Sequence, residues 1–323
     1  MVGKVTPNDQ LSASQIPVLM GASRFKTKNE LLKDYINLFN GKEVEFKSAE
    51  AMDWGNTLES TILIESALRL GLIAEKDSKN IKTDYDKSFQ HQTLPFACSL
   101  DGTVTGDGTE IMTDINKGII CVNADKITLS GIGIIEAKLT AHEIESAEDL
   151  PLYRGPLQLQ MQMDVLGAEW GAVCVLYRGT TLRTFVYKRD DELIMQIHVA
   201  ILDFQRRLDK YKDNEETEWY DLTSTDEASK IWDEASGEQV DMPELEDSAE
   251  QIIDLRQKIN SLESEVKVLE VGIMDQMREV TKASAGKFNI GWPMLNYKAQ
   301  PEKIVPAKDA RSIRQSKLKI REN

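Results

Sequence analysis

The chain has 323 residues, 41% of them hydrophobic, which suffices for one large domain or two small ones around a real core. No apolar run is long enough to span a bilayer and no signal peptide is legible. The three cysteines, Cys98, Cys121 and Cys174, are far apart, so a membrane protein, a disulfide scaffold and a cysteine-bound iron–sulfur cluster are not expected, and a reducing cytoplasm is. The net charge of −15 runs against the basic balance usual in nucleic-acid enzymes, but a heavy share of the acid lies between Asp213 and Glu250 and the stretch from Ala307 on is net basic, so a local basic surface can coexist with an acidic whole.

Residues 1–10 carry no pattern. Ser12 or Ser14 is placed to cap a short apolar helix from Gln15 to Met20, with Pro17 early in it and Gly21 closing it. Thr27 to Leu38 reads as a helix with Leu31, Leu32, Tyr35 and Leu38 on one side, and Lys42 to Lys47 as a polar connector. A long helix follows from Ser48 to Leu70. In it Ala51, Trp54, Leu58, Ile62, Glu65 and Arg69 step by three or four residues, and Glu59 falls on a neighbouring stripe one turn after Gly55. Read from the residues alone, Glu59 is a solvated helix carboxylate. Asp77 to Thr93 is polar, a loop or an edge strand. Phe96 to Leu100 is a core strand that ends at Asp101-Gly102, a turn signal. Gly102 to Asp114 looks like a hairpin excursion, and Gly118 to Asn123 is another strand.

The stretch Gly131 to Thr140 organises what surrounds it. Ile132, Ile134 and Ile135 precede Glu136-Ala137-Lys138, and Leu139 follows, so a buried strand ends in charge. Two residues apart on a strand, Glu136 and Lys138 face the same way. Together with Asp101 at the end of the earlier strand, they form the order Asp…Glu-x-Lys. Two carboxylates and a lysine at adjacent strand ends can hold Mg²⁺ and activate water. Beyond them, Pro156 to Gly167 is a helix with Gln158 and Gln162 on one face and Leu159, Met163 and Leu166 on the buried one. Trp170 to Tyr177 is a buried strand and Leu182 to Tyr187 a half-exposed one. Arg178, Arg183 and Lys188 either line a DNA groove or are solvated hairpin charges. Asp190 to Lys212 is a long helix. His91, His142 and His198 have no second histidine near them in sequence and are expected to be isolated.

Asp213 to Glu250 is acidic, with Trp219 and Trp232 embedded, and its structure is not legible. Ile252, Leu255, Ile259, Leu262, Val266, Leu269 and Ile273 then step by three and four, a heptad seam that suits pairing with the Asp190–Lys212 helix or with another subunit. Gly286 to Tyr297 looks like two short strands, and a basic tail follows. The division this predicts is a core over 1–212, an acidic connector over 213–250 and a helical, coiled-coil-like extension over 251–323.

Leu11-Ser-Ala-Ser14-Gln-Ile, Trp54-Gly55-x-x-x-Glu59, Pro95-Phe-Ala-Cys-Ser-Leu-Asp101-Gly, Glu136-Ala-Lys138 and Gln158-Leu-Gln-Met-Gln162-Met163 stand in an order, over roughly residues 11 to 210, that resembles the lambda-type phage exonucleases. These are the YqaJ-like viral recombinases of the PD-(D/E)xK nuclease class. The resemblance implies an α/β fold with a restriction-endonuclease-like core, a mixed central sheet flanked by helices. It implies a deoxyribonuclease that degrades linear double-stranded DNA from its ends, 5′ to 3′, dependent on Mg²⁺ with Mn²⁺ as a substitute. The remaining 3′ strand would pass to a phage single-strand annealing protein, in the host cytoplasm. Asp101, Glu136 and the backbone carbonyl of Ala137 would hold metal, Glu59 would complete the site, Lys138 would act on the attacking water or the developing charge, and Gln158 would position the group. Ser14 would contact a DNA phosphate. The arginine that the family places upstream of that serine is absent here, and Arg24 stands as its replacement. The resemblance also implies a homotrimer. Two other readings are a structure-specific endonuclease of the same class and a non-catalytic adaptor that binds protein through the heptad helix and acidic segment.

Overall fold

The computed structural model describes residues 10–42, 50–76, 78–83, 85–144, 148–234, 237 and 239–294. The start of the chain, the 43–47 part of the polar connector, the first residues of the Ser48 helix and the basic tail lie outside them. The chain divides into two compact units, Met1–Glu227 and Ala228–Asn323.

In the first unit the elements run β1 (Leu11–Ser12), α1 (Ile16–Leu19), α2 (Lys28–Phe39), α3 (Glu50–Arg69), β2 (Ile81–Lys82), β3 (Phe89–Gln90), β4 (Phe96–Cys98), β5 (Gly102–Met112), β6 (Ile119–Cys121), β7 (Lys126–Thr140), α4 (Pro156–Leu166), β8 (Trp170–Tyr177), β9 (Thr181–Lys188) and α5 (Asp191–Lys212). Helix α6 (Thr225–Ile231) follows, and the second unit carries α7 (Glu246–Met277), β10 (Lys282–Ala285) and β11 (Phe288–Gly291). Helix α2 starts where a capping box predicts: the Thr27 hydroxyl accepts from Glu30 N at 3.2 Å while Thr27 N donates to the Glu30 carboxylate at 2.7 Å.

Six strands form the main sheet in the order β2-β5-β7-β8-β9-β6. Strands β7 and β8 are parallel, as are β9 and β6, whereas β5–β7 and β8–β9 are antiparallel, so the sheet is mixed. Helices cover both faces. Ile62, Leu63 and Ala67 of α3 pack on Val104, Ile135, Ala172 and Cys174 on one side. Leu157, Leu159 and Met163 of α4 and Ile194, Ile197 and Ile201 of α5 pack with Ile134, Val173, Val175 and Phe185 on the other. A strand covered on both faces has no polar alternation to show, which is why β8 reads as an unbroken apolar run. The expected mixed sheet flanked by helices is the observed architecture. A second sheet has three strands in the order β1-β4-β3.

Several expectations need correction. Gly102 to Met112 is not a hairpin but one continuous strand, paired along its length with Lys126 to Ile135; a single register shift between Asp107 and Thr109 absorbs the glycines that suggested a turn. Strand β9 is not half-exposed: Leu182 and Thr184 to Tyr187 are buried, because β9 lies between β8 and β6 under α5. Of the stripe expected on α3 only Ile62 is buried; the buried face is Ile62, Leu63, Ser66 and Ala67, and Trp54 is exposed. Ser12, not Ser14, caps the first turn: its backbone N–H donates to Gln15 Oε1 at 2.9 Å. The acidic stretch after α5, not legible from the sequence, is ordered against the first unit at its start. Trp219 and Tyr220 pack on the core, Tyr220 exchanges two hydrogen bonds with Asn29 at 2.7 and 3.0 Å, and Glu218 pairs with Arg206 and Lys210. The two strands expected over Gly286 to Tyr297 form earlier, at β10 and β11, and residues 295–297 lie outside the described ones.

Candidate active site

The site is assembled where the chain passes from the small sheet into the main one. Strand β4 ends, Asp101 follows, and Gly102 opens β5 opposite Ile135 in antiparallel register. One residue back along that ladder, Asp101 lies beside the Glu136–Ala137 stretch of β7, and its Oδ2 accepts the Ala137 N–H at 2.8 Å. Gly102 is required for this approach. A Cβ there would lie 2.9 Å from Leu63 Cδ1 of α3 and 3.1 Å from Lys82 O.

Glu136 is 1% exposed and therefore needs donors. It has three. Oε1 accepts from Lys138 Nζ and from Gln158 Nε2, each at 2.6 Å, and Oε2 accepts from Gln162 Nε2 at 2.7 Å. Lys138 Nζ also donates to Gln158 Oε1 at 3.1 Å, so Glu136, Lys138 and Gln158 close a triangle. The expected strand geometry is what makes this possible: Glu136 and Lys138 face α4 together, while Ile135 and Ala137 face α3. Gly155 lets α4 begin there. Its φ is +123°, and a Cβ would meet Val173 Cγ1 at 2.9 Å and Lys138 Cε at 3.6 Å.

Charge is unevenly balanced. Burial, then Glu136 and Glu59, push the Asp101 carboxyl well above the ordinary carboxylate range, against the opposing pull of Lys138 and the Ala137 N–H. Burial works against the Lys138 charge, but Glu136, Asp101 and Glu59 more than offset it, so its ammonium is held above the ordinary lysine value. Three carboxylates thus share one ammonium. That donor set fits a divalent cation: hard oxygen ligands, and a carboxyl whose raised pKa a nearby cation would lower. Glu136 Oε2 and Asp101 retain lone pairs for it. Since a strand residue turns its N–H and C=O to the same side, the Ala137 carbonyl points, like its N–H, toward Asp101.

The structure brings Asp101, Glu136, Ala137, Lys138 and Gln158 into direct contact. Half-buried Glu59, on α3, acts on Asp101 and Lys138 through charge. The DNA-contact candidates lie outside this cluster. Ser14 is exposed, its hydroxyl 3.1 Å from that of Ser12. Arg24 stacks on the Tyr153 ring at 4.6 Å, and Arg154 lies 5.3 Å from the same ring, just before α4. Arg178 sits at the β8–β9 turn and is engaged by Glu143 at 2.8 Å.

Sequence reasoning missed two features. Gln162, to which the motif assigns no role, is fully buried, holds Glu136 and donates to Ser99 O at 3.1 Å, while its own Oε1 has no partner among the described residues. Its i, i+4 spacing from Gln158 was the available signal. The histidines were the second miss. His91 and His198 are not isolated: their Nε2 atoms lie 3.0 and 2.7 Å from Asp164 Oδ2, and Arg189 binds Oδ1. Their separation along the chain concealed it. His142 takes no part in this cluster. The cluster has the composition of a metal site, but its hydrogen bonding opposes one. His91 Nδ1 accepts the Leu94 N–H at 3.0 Å, which places the ring proton on Nε2, where a metal would have to bind, and Arg189 already neutralises Asp164. It is a half-buried tie between the β3–β4 turn, α4 and α5.

The YqaJ-like viral recombinase domain family matches the chain over residues 7–169. Among solved structures, the alkaline exonuclease LHK-Exo from Laribacter hongkongensis is 19% identical, with 64% of this chain and 91% of that one covered and a TM-score of 0.45. A phage-related exonuclease from Haemophilus somnus 129PT is 12% identical, with 64% and 96% covered and a TM-score of 0.41. No curated protein matches the chain.

Proposed function

The chain belongs to the YqaJ-like viral recombinase domain family, and on that premise we propose that it is a metal-dependent deoxyribonuclease that degrades linear double-stranded DNA from its ends. The observation that carries this reading is the Asp101–Glu136–Lys138 constellation, in which buried Glu136 is held by Lys138 and Gln158 beside Asp101, whose carboxyl is raised above the ordinary range by burial and by the neighbouring Glu136. Asp101, Glu136, the Ala137 carbonyl and Glu59 would hold Mg²⁺, or Mn²⁺ in its place. A cation held there would polarise the scissile phosphate and lower the pKa of a bound water.

The side chains do the rest. Lys138 is charged at neutral pH, so it serves as a hydrogen-bond donor and electrostatic partner to the attacking water and the developing phosphorane charge rather than as a base. Gln158 fixes Lys138 and Glu136 against each other. Hydrolysis adds the water oxygen to phosphorus, breaks the bond to the leaving sugar oxygen and delivers a proton to it. Arg24 with Tyr153 and Arg154, Ser14, and Arg178 are assigned to the DNA backbone. The catalytic part is assigned to residues 1–212. The direction is assigned as 5′ to 3′, leaving a 3′ single strand for a phage annealing protein in the host cytoplasm. Among the described residues no helix is long and apolar enough to cross a membrane.

The test is nucleotide release from an end-labelled linear duplex with Mg²⁺, for the wild type and Lys138→Ala, beside a closed circular plasmid. Release by the wild type, loss of at least about a hundredfold in the variant and an intact plasmid are expected, with the 5′ label lost first. Cutting of the plasmid would move the assignment to an endonuclease. Inertness of a folded wild type with both metals would leave the adaptor reading.

A further inference from the structure

From β2 to β3 the chain interleaves lysines with aromatic rings beside the metal candidates. Lys82 Nζ lies 4.4 Å from the centre of the Tyr85 ring, and Lys87 Nζ 5.6 Å from that of Phe89. The two rings meet edge to face with their centres 5.5 Å apart. Strand pairing and hydroxyl contacts fix this ladder next to Asp101. Lys82 pairs with Thr103, two residues after Asp101, and Phe89 pairs with Cys98, three residues before it. The hydroxyls of Tyr85 and Thr103 lie 2.7 Å apart. That of Thr83 lies 3.1 Å from the hydroxyl of Ser60, the residue after Glu59 on α3. The register also sets the face. Thr103 stands opposite Ile134, and Ile134, Glu136 and Lys138 share one side of β7, so the ladder lies on the side of the sheet from which Glu136 and Lys138 project. Lys82 and Lys87 are exposed and both rings are half-buried, which leaves ring surface for a ligand.

We infer that Lys82, Tyr85, Lys87 and Phe89 form a binding track for an unpaired stretch of DNA strand beside the hydrolysed phosphate, an inference that rests on the deoxyribonuclease reading above for the identity of the strand. Exposed lysines next to aromatic rings are the chemistry of single-strand binding: the ammonium groups take backbone phosphates and the rings take base faces, which a duplex hides. In the free protein each ammonium lies by a ring, a weak contact at an exposed site. A strand offers the ammonium a phosphate and leaves the ring face to a base. Carboxylates dominate the metal cluster, so a phosphate strand passing it needs positive charge close by. Lys138 is tied to Glu136, whereas Lys82 and Lys87 lie by rings at the edge of the sheet.

Binding of a fluorescent oligothymidine to the full chain in EDTA, read by anisotropy over a range of salt, tests this without hydrolysis. A blunt duplex is the comparison, and circular dichroism checks folding. The single strand is expected to bind more tightly than the duplex. Lys82→Gln and Lys87→Gln should each make the slope of log K against log salt shallower by about 0.7, the value of one phosphate on a single strand. Phe89→Leu keeps apolar bulk and is expected to weaken binding about tenfold with the slope unchanged. With Mg²⁺ and linear duplex, the same variants should raise KM about tenfold and leave kcat within about twofold. Lysine variants with the wild-type slope, a preference for the duplex, or a Phe89→Leu chain that binds as the wild type does would overturn the track. A wild type that binds oligothymidine with this slope pattern and releases no nucleotide would overturn the hydrolase reading and leave the track standing as a single-strand binding surface.

Discussion

Strand β7 and helix α7 both interleave aliphatic residues with carboxylates and lysines, but their charges live in different media. In β7 the helices of both faces enclose the strand, Glu136 is 1% exposed, and each of its oxygens has a donor that can be named. In α7 the charged residues Lys258, Glu263, Glu265 and Glu270 stand in water beside an uncovered seam. The same residue types therefore carry different weights. A buried carboxylate that loses a donor bears its full desolvation cost, whereas a solvated pair is screened and is worth at most a few tenths to about 1 kcal/mol. In β7 each charge is tied to a named partner, whereas in α7 the charges stand in solvent beside the seam.

The largest effect is expected from removing the β7 charge. Glu136→Gln deletes a proposed metal ligand and the main partner of Lys138, and nucleotide release from linear duplex should fall about a thousandfold or more. A fall of less than tenfold in a folded variant would break the contrast, since Glu136 would then be no more than a salt-bridge partner.

A smaller loss is expected one layer out. Gln162→Leu keeps the side chain's bulk and removes the donor to Glu136 Oε2, so activity should fall about 10- to 100-fold. Thermal unfolding should show a cost of about 1–3 kcal/mol, because both Glu136 and Ser99 O lose a buried donor. Unchanged melting together with unchanged turnover would show that Glu136 does not depend on Gln162.

The least effect on activity is expected at Asp164, whose half-buried tie is separate from the proposed chemistry. Burial alone would raise its carboxyl, but hydrogen bonds from Arg189 and His198 prevail and hold it below the ordinary value. A depressed folded pKa means stabilisation that is complete above the unfolded value of about 3.9 and is lost as pH falls through the folded one. Asp164→Asn should therefore destabilise by about 1–3 kcal/mol at pH 6, and the gap between wild type and variant should close as melts are repeated toward pH 3. A gap that widens with acid would mean that the carboxylate is not the stabilised form.

What was legible follows from period and chemistry. The three-and-four stepping of the α7 seam, the apolar run of β8, and the two-residue spacing of Glu136 and Lys138 each need only local geometry, and each appears as a helix, a strand or a shared face. The long β5 strand was misread because glycine and threonine signal a turn when the partner strand is unknown. Once Lys126–Ile135 lies alongside, the ladder makes them a strand and a bulge accommodates the extra residue.

By itself the sequence determined which side chains can do chemistry and how neighbours along one element face, since a strand's period of two and a helix's of 3.6 are properties of the backbone. Only the tertiary structure decided what those side chains meet. Asp101 reaches Ala137 because antiparallel β5 starts opposite Ile135; Gln158 and Gln162 reach Glu136 because α4 crosses back over the parallel pair β7–β8; His91 and His198 converge on Asp164 because α4 and α5 pack together. These partners are remote in the chain and adjacent in the sheet, and burial supplies the physical reason they matter: away from water, a charged group is only as stable as the donors and charges that the fold places beside it.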